Sequence, residues 1–130
     1  MKWRGPAKLT ICLAAALAAV AVGPALAHVL KGTPKADRLA GGERSDTLSG
    51  RAGDDRLNGR GGADLIKGGP DGDVLIGGDG FDQLRGDAGD DVIRAADGAP
   101  DQIECGPGAD RAVVDDSEDG LFDCEEVVVP

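Results

Sequence analysis

Seven aspartates recur at an interval of nine residues: Asp37, Asp46, Asp55, Asp64, Asp73, Asp82 and Asp91. Carboxylates this regular are candidate ligands for a hard cation. Calcium accepts six to eight oxygens at about 2.3–2.6 Å with flexible geometry, so it can take carboxylates together with turn carbonyls. Zinc is disfavoured, because the lone histidine is His28 and no Cys/His cluster exists. The adjacent carboxylates Asp54/Asp55, Asp90/Asp91 and Asp115/Asp116 could suggest a hydrolytic pair. Catalysis, however, requires a carboxyl of raised pKa in a cleft, and thin repeats offer none. No Ser/His/Asp set is available either. The sequence points to binding rather than to an enzyme.

The elements that must hold these carboxylates follow the same period. Five residues before each aspartate stands a glycine (Gly32, Gly41, Gly50, Gly59, Gly68, Gly77, Gly86), and two after it a leucine or isoleucine (Leu39, Leu48, Leu57, Ile66, Leu75, Leu84, Ile93). Glycine suits a sharp turn that needs positive φ. The alternating triplets, such as Arg56-Leu57-Asn58 and Val92-Ile93-Arg94, suit short strands. A unit repeated this strictly stacks on copies of itself. Turn plus strand, twice, makes a coil of about eighteen residues in a two-sheet solenoid, with neighbouring coils ~4.8 Å apart. Asp37, Asp55, Asp73 and Asp91 then line one edge, and Asp46, Asp64 and Asp82 the other. Carboxylates so close repel unless a cation lies between them. About five bridged calcium sites follow from the pairs two units apart. One buried aliphatic per unit is a meagre core, so folding is expected to depend on calcium.

Residues 1–27 read as a secretory signal peptide, helical in character. Lys2, Arg4 and Lys8 precede an apolar run from Leu9 to Gly23, and Pro24-Ala25-Leu26-Ala27 offers a small-x-small cleavage pattern. Cleavage is expected after Ala27, giving a secreted, extracellular chain with no membrane association afterwards. The whole chain carries 14 Lys+Arg against 24 Asp+Glu, a net charge of −10, and the remainder after cleavage is more acidic still. Such a surface argues against nucleic acid and anionic lipid, and for cations.

Residues 28–94 form the regular repeat region, and residues 95–130 a degenerate one. After Asp91 the register slips by one and resumes at Asp101, Asp110 and Asp119, with Ile103, Ala112 and Leu121 two places on. One extra residue near Ala95–Pro100 reads as a bulge or wider turn. The segment ends in Val127-Val128-Val129 as a cap. Cys105 and Cys124 stand nineteen apart, close to one coil, so they fall on adjacent coils and suit a disulfide in an exported chain.

The units resemble the haemolysin-type calcium-binding repeats of bacterial RTX proteins, whose nonapeptide reads G-G-x-G-x-D followed by x-aliphatic-x. Gly77-Gly78-Asp79-Gly80-Phe81-Asp82 and Gly86-Asp87-Ala88-Gly89-Asp90-Asp91 carry the likeness best. In the first two units Thr33-Pro34-Lys35 and Glu43-Arg44 replace the inner glycines. The resemblance covers residues 32–94 strictly and extends more loosely to about 122. It implies an all-β chain folded as a right-handed parallel β-roll, with Ca2+ held at the turns by the matching aspartates of positions 37–91. The function expected is calcium binding coupled to folding. The alternative is a calcium-cemented structural or adhesive component of the cell surface or extracellular matrix, with a protein or polysaccharide partner that nothing here identifies.

Overall fold

A computed structural model describes residues 18–20, 27–115 and 119–130. The expected signal peptide lies outside the described residues except for Ala18–Val20 and Ala27. Among the described residues thirteen short strands alternate between two parallel sheets. One sheet holds β1 (Ala18–Val20), β3 (Arg38–Ala40), β5 (Arg56–Gly61), β7 (Val74–Asp79), β9 (Val92–Arg94), β11 (Arg111–Val113) and β13 (Glu126–Val128). The other holds β2 (Val29–Lys31), β4 (Thr47–Ser49), β6 (Leu65–Lys67), β8 (Gln83–Arg85), β10 (Gln102–Glu104) and β12 (Gly120–Phe122). Each strand pairs with the one two places along the chain, so every coil spends one strand in each sheet. This is a parallel β-solenoid, and no helix occurs among the described residues.

The aliphatic series explains the register. Leu39, Leu57, Leu75, Ile93 and Ala112 are aligned partners across one sheet. Leu30, Leu48, Ile66, Leu84, Ile103 and Leu121 align across the other. Each is the middle residue of its triplet. Because alternate strand residues face opposite sides, the middle one turns inward while its neighbours face outward. From Leu48 to Ile103 these aliphatics are fully buried, and the two ladders face one another as a single thin core.

The slip in spacing is absorbed without breaking either ladder. Val74 pairs with Val92, but Val92 pairs with Arg111 and Gln83 with Gln102, so the extra residue sits in the turn between β9 and β10. The last coil is shorter, with Arg111 opposite Glu126. Cys105 and Cys124 are disulfide-bonded with their Cα atoms 5.1 Å apart, tying the turn after β10 to the turn after β12. The cap expected over 95–130 therefore continues the solenoid and is stapled to it.

Candidate metal centre

All seven predicted aspartates lie at the ends of the core with 0–4% of their surface exposed, and Asp101 and Asp110 join them at 1%. A strand follows each, and the aspartate carbonyl accepts from the first strand residue of the next coil, as in Arg56 N–H to Asp37 O at 2.9 Å. The side chain continues the same stacking. Oδ1 of Asp55, Asp73, Asp91 and Asp110 each accepts the backbone N–H of the aspartate one coil earlier, at 2.8 Å. Asp64, Asp82, Asp101 and Asp119 do the same along the opposite edge, at 2.7–2.9 Å. At the ends other groups stand in: His28 N–H donates to Asp46 Oδ1 at 2.7 Å, and Glu125 Oε2 accepts from Asp110 N–H at 3.0 Å.

This geometry alters the bridge expected from spacing. Between successive carboxylates of a column lies a backbone N–H, which uses one oxygen of each. The other oxygen, Oδ2, points to the turn. In Asp55, Asp64, Asp73, Asp82, Asp91, Asp101 and Asp110 this atom is buried and has no hydrogen-bond partner. Buried polar atoms are rarely left so, and a charged one least of all. Seven instances in register put the same unmet acceptor at turn after turn, an arrangement that suits a positive charge.

Glycine at the start of each unit shapes that space. A Cβ on Gly41 would lie 2.6 Å from Asp46 Oδ2 and 2.6 Å from the carbonyl oxygen of Gly59 in the next coil. The carboxylate and a neighbouring carbonyl thus crowd the same point; at Asp46 the Gly42 N–H donates to Oδ2, whereas at Asp55, Asp64 and Asp73 no donor reaches it. The corresponding carbonyls over Gly50, Gly59 and Gly68 belong to Gly68, Gly77 and Gly86. Carboxylate and carbonyl oxygens are the donor set calcium prefers. These residues fit such an ion.

The first two units are built differently. Asp37 Oδ2 accepts from the N–H and hydroxyl of Thr33, and Asp46 Oδ2 from Gly42 N–H at 2.6 Å. In the units that follow, the residue in the Thr33 place has a left-handed backbone: φ is 79° at Arg51, 78° at Arg60, 105° at Gly69, 94° at Gly78 and 69° at Asp87. With that change of turn the donor to Oδ2 is gone.

The electrostatics follow the hydrogen bonds. Burial pushes the Asp55 and Asp64 carboxyls up to about 6, opposed by the hydrogen bond from the preceding aspartate's N–H and reinforced by neighbouring carboxylates. The same causes raise Asp73 to about 8 and Asp82, Asp91 and Asp101 to about 7. Asp110 is raised as well. At Asp46 burial is outweighed by hydrogen bonds from Gly42 and His28, with the His28 ring adding to them, and its carboxyl is lowered.

Asp101, Asp110 and Asp119 complete the columns although they fall outside the strict repeat. The resumed nine-residue spacing after the slip is the signal that marks them. The RTX calcium-binding nonapeptide repeat, as a family model of four copies, matches residues 31–66 and 67–100. That is more than half of the chain, which belongs to this family of calcium-binding repeats. No curated protein and no solved structure matches the chain, so the repeat and its geometry carry the functional argument.

Proposed function

We propose that this is a secreted calcium-binding protein whose turns take up Ca2+ along both edges and whose fold is completed by that uptake. The observation carrying the reading is the run of buried, unpaired Oδ2 atoms from Asp55 to Asp110. Those of Asp55, Asp64, Asp73 and Asp91 lie beside turn carbonyls that supply further oxygens. A divalent ion there offsets the charge that burial and neighbouring carboxylates make costly. The core holds one aliphatic per unit and leaves most of each turn unpacked, which supports a fold that needs its ions. Export before the ions are met agrees with the basic, apolar and small-residue order of residues 1–27.

Raised carboxyl pKa values often mark catalytic acids. Here the same raised group recurs in coil after coil, which supports a repeated ligand site rather than a single reacting centre. The test is calcium calorimetry joined to far-ultraviolet circular dichroism on chelated protein. Calcium uptake with several ions per chain and a gain of strand signal is expected. A chelated sample with full strand signal and no heat on calcium addition overturns the reading.

A further inference from the structure

The turn carrying the extra residue differs from every other. Three carboxylates, those of Asp82, Asp97 and Asp101, each bring an oxygen to within 4.8 Å of the other two, the one such group among the described residues. Asp82 and Asp101 are 0% and 1% exposed, and each keeps an Oδ2 with no partner. Asp97 is half-buried and held from two sides. Its Oδ2 accepts Gly80 N–H at 3.1 Å and its Oδ1 accepts Ala99 N–H at 2.9 Å. Asp97 also lines a shallow groove beside Ile76, Gly78 and Arg94, so solvent reaches it.

We propose that Asp82, Asp97 and Asp101 form a distinct cation site of three side-chain carboxylates, built by the inserted residue, with a stronger preference for highly charged ions than the other turns. The proposal rests on calcium binding by the repeat, but adds a ligand that the nine-residue pattern does not contain. Other turns also carry extra aspartates, such as Asp54 and Asp90, but among the described residues none gathers three carboxylate oxygens this closely. Here a third carboxylate is fixed by two amides before any ion arrives. Affinity of oxygen sites rises with the number of charged ligands and their rigidity, and a trivalent ion gains most from the added charge.

The experiment exchanges gadolinium into the calcium-loaded protein at substoichiometric amounts and follows amide line broadening by NMR. In the native chain Gly80 and Ala99 amides are expected to broaden first. In Asp97→Asn, which retains an acceptor for Gly80, that priority should vanish and gadolinium affinity at this turn fall roughly tenfold. Asp54→Asn serves as the control, since Asp54 likewise accepts a glycine amide of a neighbouring coil (Gly72, 3.1 Å) but lies outside the cluster. It should leave the order of broadening unchanged. Uniform broadening in the native chain, or the same Gly80 and Ala99 priority in Asp97→Asn, overturns the site while calcium binding by the repeat stands. Should Asp97→Asn lose its strand signal in calcium, the native broadening order against Asp54→Asn decides alone. A native protein that takes up no calcium at all fails the earlier reading instead.

Discussion

Asp73→Asn separates the two duties of the repeat aspartate. Asp73 Oδ1 accepts Asp55 N–H at 2.8 Å, and its Oδ2 is buried without a partner. Burial, chiefly, pushes the carboxyl up to about 8. Asparagine keeps the Oδ1 acceptor and puts an NH2 group where Oδ2 stood. That group shares the space over Gly68 with the Gly86 carbonyl, whose oxygen lies 2.9 Å from where a Gly68 Cβ would be. An unsatisfied buried acceptor is thereby replaced by a donor facing an acceptor. The unsatisfied group costs ~1–3 kcal/mol, and a new hydrogen bond returns ~1 kcal/mol. The calcium-free fold should gain about 2–4 kcal/mol. In calcium the order reverses, because the variant has lost a charged ligand.

The assay is osmolyte-induced folding in chelator at pH 9, where a carboxyl raised to about 8 is ionised and Oδ2 is an acceptor only, since osmolytes favour burial without supplying an ion. Asp73→Asn should reach half-folding at a lower osmolyte concentration than the native chain. Asp73→Ala, which also strands the Asp55 N–H, should need a higher one. In millimolar calcium the native chain should outlast both variants against urea. An asparagine variant less stable than the native chain in chelator would show that Oδ2 is not a liability there, and the argument for a cation at that atom would fail.

Two further outcomes are expected. A carboxyl whose pKa is raised in the folded state binds its proton more tightly there. The calcium-free fold is therefore most stable below the unfolded value of 3.8 and loses that stability as pH rises through about 6 to 8; dichroism in chelator should show strand signal growing as pH falls from 8 to 5, and signal that shrinks instead refutes the sign. Arg60 holds φ at 78°, a conformation costing a side-chain-bearing residue ~1–2 kcal/mol, so Arg60→Gly should raise the urea midpoint in calcium by about 1 kcal/mol of stability, and an unchanged or lower midpoint counts against strain at that turn.

The period of nine made the solenoid legible. Glycine, aspartate and aliphatic in fixed phase give turn, corner and core, and Leu57 opposite Leu75 is what an eighteen-residue coil requires. The disulfide was legible for the same reason, because Cys105 and Cys124 stand one coil apart. Three things were not. Spacing places carboxylates in a column but cannot tell that a backbone N–H separates them. The contrast between Asp46, which accepts Gly42 N–H, and Asp55, whose Oδ2 has no donor, depends on backbone dihedrals that composition does not fix. Asp97 falls outside the period, and only the path of the inserted turn brings it to Asp82 and Asp101.

Each repeat aspartate divides its work between its two oxygens, and this division links ion binding to stacking. Oδ1 receives the N–H of the previous coil, so a carboxylate sits in register only when that coil is already in place. Oδ2 then stands buried beside carbonyls, and it costs free energy until something positive meets it. An ion that stabilises Oδ2 therefore also stabilises the coil-to-coil hydrogen bond made by the same group. Leaving Oδ2 bare opposes both. In the first two units Thr33 and Gly42 donate to Oδ2 directly, and the conflict does not arise. The residue after the first glycine of a unit thus decides whether its aspartate is satisfied by the chain or by a cation.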